Sequence, residues 1–488
     1  MKKILIVFIL CSFFNLSYSQ QFKNRMSSSF NKENKNDIYK IVLPSPYGFT
    51  KLHYLENVFM DNTKSMILTK YDQEMKSTDT KSFNLPKLGL RASDLQEVIE
   101  LDSQLIFLST VMDKKLGKHQ VNAQVYLSKE SSVSDNKILA SFEIEKYSRS
   151  GFYQISISPD KSKIAIVANM PYEKKKKETV KVWVYDNQLN LLWEQKETLT
   201  YNSEKVYEEK LFVQNSGEVI MSKKTNSHKK TRKSELLIFN SNSVDIVDFS
   251  STDFMPMQTK LIEVNGNPML TGFFWDGKTV IIKTNQTEGV DNDGAFLFDL
   301  NTKKLLGAHK WNNTINSKDL KSLQVISVNV INDDIYLLGE KQLETSEFKK
   351  GGNSMTTEID YFYTYGSSVL VNIDTKGTLK SFKNLFESKK YKNNEKEKGS
   401  FSSLYLEDGL RIFSNYNKKE SKYRGIMVNS FFFDNQISFL KPKITIPNYN
   451  YPVVPYVLSK TIKEVKNYNI LYYITNYGDR YWFNKTTW

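Results

Sequence analysis

The chain has 488 residues, enough for about three average domains or for one large repeat architecture. Hydrophobic residues make up 40% of it and aromatic residues 13%, which is enough for an apolar core and excludes a largely disordered chain. The formal net charge is +14, which favours anionic partners. The single cysteine, Cys11, lies in a segment that we expect to be removed, so the mature chain has no thiol for disulfides, metal sites or nucleophilic catalysis.

The first 19 residues have the pattern of a secretory signal peptide. Met1-Lys2-Lys3 is a basic start, Ile4 to Phe14 is an apolar run, and Ser17-Tyr18-Ser19 is a cleavage site of small residues. An apolar run of about 11 residues is too short to span a bilayer, which takes about 20. We therefore expect cleavage near Ser19, export to the periplasm or the medium, and no transmembrane segment in the mature chain.

From residue 97 onward the sequence repeats a hairpin of β-branched and aromatic residues around a polar turn. Helical periodicity is almost absent. Six such first hairpins follow one another: Glu97–Leu108, Tyr153–Asn169, Lys210–Ser222, Lys260–Phe273, Val325–Glu340 and Phe401–Ser414. Their turns recur every roughly 50 to 75 residues, which indicates a repeat architecture.

Most first hairpins are followed by a second hairpin with its own turn. The turn at 184–189 (Val-Tyr-Asp-Asn-Gln-Leu) closely matches that at 432–437 (Phe-Phe-Asp-Asn-Gln-Ile), and looser copies lie at 237–242, 296–301 and 370–374. Two hairpins make four antiparallel strands, a to d. A four-stranded unit with this period is typical of a β-propeller, in which the sheets, or blades, form a ring.

The two ends of the chain are expected to share one blade. Residues 461–465 and 468–475 form a first hairpin only, and residues 66–71 and 76–85 form a second hairpin only. Closing a ring with strands from both ends removes the free edges of an open sheet. The prediction is an all-β chain with a single propeller over residues 37–488, of seven blades, with six and eight as alternatives. Residues 20–36 are polar and are expected to be a disordered leader.

One turn carries a family resemblance. The segment 157–165 (Ile-Ser-Pro-Asp-Lys-Ser-Lys-Ile-Ala) resembles the SPDG-x-x-IA turn of TolB-like and WD40-like bacterial propellers. It departs from that pattern at Lys161, where the family has its turn glycine. The resemblance covers one blade and implies the fold alone, because this turn is structural in the family and propellers host unrelated functions.

Residue types that catalytic sites require are scarce. His53, His119, His228 and His309 lack paired metal-ligand spacing, and no Gly-x-Ser-x-Gly elbow of a hydrolase exists. Residues 291–294 (Asp-Asn-Asp-Gly) have part of a calcium-loop pattern, but a turn is favoured because further oxygen ligands are missing. We expect no cofactor and no metal. The sequence neither identifies nor excludes a carboxylate pair for glycoside hydrolysis.

In a propeller the connections between strands b and c all emerge on one face, and most of these segments are basic here. Residues 113–120 and 171–178 each carry +2, residues 223–234 carry +6, and residues 418–424 carry +3. Two weakly acidic segments bring the total to +10. Most of the net charge is therefore expected on one face.

The candidate binding residues are the cations of this face and the tyrosines of the longest connection, residues 341–365, which we expect to be a long loop. They are Lys174, Lys175, Lys176, Lys177, Lys223, Lys224, Lys229, Lys230, Arg232, Lys233, Lys418, Lys419, Lys422, Arg424, Tyr361, Tyr363 and Tyr365.

Such a face favours an acidic envelope or extracellular protein, an anionic polysaccharide or lipid headgroups. Nucleic acid is disfavoured because few aromatic residues interleave with the lysines. A solvated lysine-rich surface without a partner also explains the charge. The predicted function is that of a non-catalytic, exported binding or scaffold module in the cell envelope or outside the cell. The alternative is a carbohydrate-active or other hydrolytic propeller with a carboxylate site at the central channel.

Overall fold

The computed structural model describes most of the chain between residues 23 and 487. The described ranges are 23–31, 38–56, 63–144, 151–171, 176–202, 206–226, 232–251, 253–276, 283–284, 287–288, 292–311, 323–350, 357–386, 389–392, 401–406, 409–417, 424–432, 438–439, 443–445, 456–465, 468, 470–477 and 480–487. The predicted signal peptide, residues 1–19, lies outside these ranges.

Every regular secondary-structure element in the described ranges is a β-strand. The first half of the chain forms four complete blades. The first two strands are β1 (Lys23–Met26) and β2 (Phe30–Asn31). Blade 1 is β3 (Ile38–Ser45), β4 (Gly48–Glu56), β5 (Lys64–Asp72) and β6 (Ser77–Asn84). A small hairpin follows, β7 (Lys87–Leu88) and β8 (Arg91–Ala92). Blade 2 is β9 (Asp94–Glu100), β10 (Gln104–Asp113), β11 (Lys118–Leu127), β12 (Ser132–Val133) and β13 (Lys137–Glu143). Blade 3 is β14 (Phe152–Ile157), β15 (Lys163–Asn169), β16 (Lys177–Asp186) and β17 (Leu191–Asn202). Blade 4 is β18 (Val206–Val213), β19 (Val219–Asn226), β20 (Arg232–Phe239) and β21 (Val244–Asp248).

The second half of the chain builds three more blades and most of the last one. Blade 5 contains β22 (Met255–Val264) and β23 (Asn267–Trp275), then the small hairpin β24 (Lys283–Thr284) and β25 (Thr287–Glu288), then β26 (Gly294–Asp299) and β27 (Lys304–Lys310). Blade 6 is β28 (Leu323–Ile331), β29 (Asp334–Lys350), β30 (Thr357–Asp374), β31 (Leu379–Phe386) and β32 (Lys389–Lys392). Blade 7 is β33 (Ser402–Leu406), β34 (Gly409–Asn417), β35 (Arg424–Phe432), β36 (Ser438–Phe439) and β37 (Lys443–Thr445). The closing blade contains β38 (Tyr456–Val465), β39 (Ile470–Tyr477) and β40 (Arg480–Thr487).

The predicted all-β propeller of four-stranded antiparallel blades is confirmed. The six predicted first hairpins are strands a and b of blades 2 to 7. Within the described ranges the strands form eight sheets of four or five strands, seven of them continuous in the chain and one built from both ends. Eight sheets lie at the upper limit of the predicted number. The sheet beyond the expected seven is blade 1, because β3 and β4 precede the hairpin at residues 66–85.

The closing blade joins the chain ends by one strand rather than by a hairpin. β1 pairs antiparallel with β40, from Lys23 opposite Thr487 to Met26 opposite Asn484, and β2 pairs with the start of β40. The expectation of a disordered leader over residues 20–36 is therefore wrong at residues 23–31. The expected composition of the closing blade, two strands from each end, is also corrected to three C-terminal strands and the N-terminal β1.

Apolar packing between neighbouring blades holds the ring together. Inner strands such as β15 are buried on both sides, whereas outer strands such as β27 are largely exposed. Seven apolar clusters among the described residues each join two successive blades, from the closing blade and blade 1 round to blades 6 and 7. β38 packs against blade 7 and completes the circle. Each buried aliphatic or aromatic side chain contributes on the order of 1.5–3 kcal/mol.

In five of the blades, the turn between strands c and d is fixed by a side chain that accepts two backbone amides of the turn, which explains the repeated sequence signature. In blade 3 the Asp186 Oδ1 accepts the backbone N–H groups of Gln188 (2.9 Å) and Asn190 (2.8 Å). Partial burial opposes ionisation of Asp186, but hydrogen bonds from Asn190 and Gln188 outweigh it and lower the pKa of the carboxyl. Asp72 and Asp374 accept the amides two and four residues later in the same way, and Asn240 and Asp299 accept those two and three residues later. The copy at 432–437 lies largely outside the described residues.

Glu100, at the end of strand a in blade 2, connects four blades near the ring centre. Its Oε1 accepts a hydrogen bond from the backbone N–H of Leu43 in blade 1. Its Oε2 accepts one from the Lys463 Nζ of the closing blade, at 3.0 Å. Its backbone carbonyl accepts the Lys161 Nζ of blade 3 at 2.6 Å. Both carboxylate oxygens are thus used in joining the two ends of the ring.

Removal of the N-terminal strand is expected to open the ring. A chain starting at Lys32 loses the backbone pairing of β1 and the stacking of Phe30 on Phe483, whose ring centroids are 4.9 Å apart. At ~1 kcal/mol for each hydrogen bond plus the apolar contact, the free energy of unfolding should fall by about 3–6 kcal/mol. Chemical denaturation of this chain and of a control starting at Gln20 measures the difference. Equal stability of the two would show that β1 does not close the ring.

A half-buried histidine between blades 2 and 3 makes stability depend on pH. The His119 ring lies edge-on to Phe142 and Tyr153, with centroids 5.3 and 4.7 Å away. Burial lowers the pKa of His119 to about 4. Because the unfolded histidine has a pKa near 6.5, protons favour the unfolded state, so stability is complete above about pH 6.5 and is lost as pH falls towards 4.

His119→Phe is expected to remove this part of the pH dependence while keeping an aromatic ring in place. The quantity to compare is the free energy of unfolding of both proteins between pH 7 and pH 4. The wild-type curve should fall more steeply over this window, and parallel curves would contradict the assignment.

Candidate functional site

The strand order places two kinds of connection at opposite ends of every blade. Strand a starts each antiparallel meander, so a–b and c–d turns share one end and b–c and d–a connections share the other. We call the second end the b–c face. The predicted b–c segments 113–120, 171–178 and 223–234 do lie between the second and third strands of blades 2, 3 and 4.

The b–c turn of blade 2 presents three exposed lysines, Lys114, Lys115 and Lys118. Asp113 is buried, and its Oδ1 accepts the backbone N–H groups of Lys115 (2.7 Å) and Leu116 (3.0 Å). Gly117 has a φ of +62°, the left-handed conformation that favours glycine. The turn is therefore fixed by its own backbone, and its lysines extend from a defined position.

The adjacent blade 3 adds two further cations. Lys176 and Lys177 are exposed at the start of β16, as predicted, whereas Lys174 and Lys175 lie outside the described residues. The small d–a hairpin β7–β8 adds exposed Lys87 and Arg91, which the sequence prediction did not include. We call these seven cations of blades 2 and 3 and of the β7–β8 hairpin the basic sector: Lys87, Arg91, Lys114, Lys115, Lys118, Lys176 and Lys177.

Lys223 is not part of this surface, contrary to the prediction. Its side chain is 0% exposed, and its Nζ lies 2.6 Å from the Glu178 Oε1, which is also buried. The pair joins β19 of blade 4 to β16 of blade 3. Lys223 therefore has a structural role between blades, because a buried charge needs its counter-charge nearby.

The remaining predicted cations are only partly described. Lys224, Arg232, Lys233 and Arg424 lie in strands β19, β20 and β35, and nothing is described of their side chains. The other predicted cations lie outside the described residues: Lys229, Lys230, Lys418, Lys419 and Lys422.

Residues 342–350 and 357–365 form two paired strands rather than part of the expected long loop. β29 and β30 stay paired from Gln342 opposite Tyr365 to Lys350 opposite Thr357. Tyr365 is buried and Tyr363 is half-buried, so these two are not free contact residues. Tyr361 lies in β30, and its side chain is not described. The alternating aromatic residues are the strand pattern that the long-loop interpretation missed.

The b–c face is acidic at blade 5. The Lys310 Nζ lies 2.7 Å from the Asp276 Oδ2, and this hydrogen bond together with the charges of Asp276, Asp293 and Asp253 raises the pKa of Lys310. Asp293, from the segment with a partial calcium-loop pattern, also accepts the backbone N–H of Asp276 at 2.8 Å. The face is therefore divided into the basic sector and an acidic region at blade 5.

The described residues contain no group of three or more histidine, cysteine, aspartate or glutamate side chains that could hold a metal ion. Nor do they contain a helix long and apolar enough to cross a membrane.

Comparison with known proteins shows structural likeness only. The chain matches no protein-family model and no curated protein. It is similar to the β-propeller domain of the Trilobed protease from Pyrococcus furiosus, with 12% identity over 80% of this chain and 93% of that one and a TM-score of 0.34. It is also similar to the WD40 domain of SCAP from fission yeast, with 9% identity, coverage of 92% and 98%, and a TM-score of 0.33.

A post-proline cleaving enzyme from Rickettsia typhi is similar at 9% identity and a TM-score of 0.36, over 89% of this chain and 57% of that one. This chain thus spans little more than half the length of that enzyme. The fold of the present protein is established by its own strand pairing, and these likenesses carry no argument about the site.

Loss of the buried cation at the junction of blades 3 and 4 is expected to destabilise the protein. Lys223→Met leaves Glu178 buried without this cation and should lower the free energy of unfolding by about 3–5 kcal/mol. The double variant with Glu178→Gln should recover part of the loss. Lys177→Met, at an exposed lysine next to Glu178, is the control and should change stability by less than about 0.5 kcal/mol. If Lys223→Met has the same denaturation midpoint as wild type, the structural role of Lys223 is contradicted.

Proposed function

We propose that this protein is an exported, non-catalytic binding module that contacts an anionic partner in the cell envelope or outside the cell through its b–c face. The observation that carries the proposal is the basic sector, seven exposed cations on neighbouring connections of one face. Export is supported by the basic start, apolar run and small-residue cleavage site of the first 19 residues.

The backbone around the basic sector supports binding rather than a random distribution of lysines. The b–c turn of blade 2 is fixed by the buried Asp113, so three lysines are held on one rigid turn. The acidic region at blade 5 lies on the same face, so in the part of the face that the structure describes the positive charge is localised at the basic sector. A localised positive potential attracts anions and orients the molecule as it approaches them.

The test removes four charges from the basic sector and four from the opposite face. The variant carries Lys114→Ser, Lys115→Ser, Lys118→Ser and Lys177→Ser. The control carries Lys76→Ser, Lys129→Ser, Lys304→Ser and Lys376→Ser, exposed lysines at c–d turns of the other face. Both variants lose the same net charge, so any difference in their binding shows the effect of where on the protein the charge was removed.

Retention of each protein by isolated envelope fractions, membrane and soluble polysaccharide, is measured at low and high salt. Wild type and control should be retained at low salt and released by high salt, and the basic-sector variant should be retained at least about tenfold less. Equal retention of the two variants would refute a role for the basic sector.

A further inference from the structure

Two rigid tips at the edge of the basic sector expose leucine side chains to solvent. Leu90, at the apex of the β7–β8 hairpin, is 80% exposed, and Leu116, at the apex of the b–c turn of blade 2, is 53% exposed. The two apices have similar sequences, Lys-Leu-Gly-Leu-Arg at 87–91 and Lys-Lys-Leu-Gly-Lys at 114–118. A single exposed leucine is ordinary on a protein surface, so the observation of interest is that these two lie on neighbouring tips.

The two tips touch each other. A Cβ placed on Gly89 would lie 3.3 Å from the Leu116 Cδ1 and 2.6 Å from the Asp113 Oδ2, and Gly89 has a φ of +58°. The base of the β7–β8 hairpin is closed by a hydrogen bond from the Ser93 N–H to the Pro86 carbonyl at 2.9 Å. Leu90 and Leu116 therefore project from a single two-tip unit of defined shape.

Cations surround the two leucines. Five of them lie on the same two tips and are exposed: Lys87, Arg91, Lys114, Lys115 and Lys118. Three carboxylates lie near them: Asp94 pairs with Lys64, and the buried Asp113 accepts turn amides, so the five cations outnumber the carboxylates. Glu143 lies opposite Lys118 in the strand register. The unit is therefore positively charged with an apolar centre.

This pattern selects among anionic partners. An anionic polysaccharide would satisfy the cations but leave the leucines in water. Two leucines on a convex tip offer far less contact area than the ~800 Å² that one side of a stable protein interface buries. An anionic bilayer has phosphates at the surface and hydrocarbon immediately beneath them, which matches cations around apolar tips.

We propose that the two tips are a peripheral membrane-docking site, at which Leu90 and Leu116 insert among the headgroups of an anionic bilayer while the surrounding lysines and Arg91 contact lipid phosphates. This inference rests on the proposed function, since it names the partner of the same basic sector. In addition to charge, this site requires insertion of the two leucines. The contributions of the leucines and of the cations can be tested separately.

The experiment measures sedimentation of the mature full chain with vesicles of phosphatidylethanolamine and phosphatidylglycerol, and with neutral phosphatidylcholine vesicles. The apolar variant is Leu90→Ser with Leu116→Ser. Its matched control is Leu191→Ser with Leu192→Ser, two leucines that are 50% and 47% exposed at a c–d turn on the opposite face. The charge variant is Lys114→Ser, Lys115→Ser and Lys118→Ser. All variants should keep the wild-type unfolding midpoint, because every changed side chain is exposed.

Wild type should bind the anionic vesicles at least about tenfold more tightly than the neutral ones. Loss of the two leucines should weaken binding to anionic vesicles by about tenfold or more, and loss of the three lysines should do likewise, whereas the leucine control should bind as wild type does. In brominated lipid, Leu90→Trp should show quenching of its added tryptophan fluorescence, which reports insertion below the headgroups.

Two results would overturn the docking site and leave the proposed function standing. One is equal vesicle binding by wild type and the leucine variant, which would indicate purely electrostatic contact. The other is absence of vesicle binding with charge-dependent retention by envelope polysaccharide or by an acidic protein. Absence of retention by vesicles and by every envelope fraction would overturn both proposals.

Discussion

The need to cover both faces of every blade with a neighbouring blade is the constraint on which the rest of this structure depends. Inner strands such as β15 are buried on both sides only because a neighbouring blade covers each side. The ring can provide a neighbour for every blade only if it closes, and the pairing of β1 with β40 closes it. Glu100 reinforces the same junction by bonding Leu43 of blade 1 and Lys463 of the closing blade. A small, mostly polar strand and one carboxylate thus support a core formed by residues far from both.

The closed ring explains why charge can vary at one end of the blades. Five c–d turns are short and are each fixed by one side chain that accepts two amides, as Asp186 does, so these turns have the repeated sequence. The b–c connections differ in length and composition from blade to blade. The division of the b–c face into a basic sector and an acidic region at blade 5 is possible because the fold leaves that end free.

The repeats allowed prediction of the blades, because local turn chemistry and alternating apolar residues are visible in a single sequence. Features that depend on distant partners were not predictable in this way. β1 is polar, and its position depends on backbone pairing with β40, which lies more than 450 residues later in the chain. Blade 1 was only half recognised, since β3 has a register shift between Val42 and Ser45 that interrupts the alternation. Lys223 has the sequence context of a surface lysine, and only its contact with Glu178, 45 residues earlier, reveals that it is buried. The exposed leucines went unnoticed because each is ordinary alone, and only the contact between the two tips makes them a surface.

The hydrogen bond between Glu100 and Lys463 spans 363 residues of chain, and this separation has a kinetic consequence. Contacts between residues so far apart form late, because the entropy of closing a long loop must be overcome before the contact stabilises anything. Blades 1 to 7 can each assemble from local hairpins, whereas the outer edge of β40 remains unpaired until β1 from the other end of the chain binds to it. Until then the molecule is an open arc with an unpaired edge strand, the kind of surface that pairs with another chain. The slowest phase of refolding should therefore be ring closure, and aggregation should compete with it at that step rather than at blade formation.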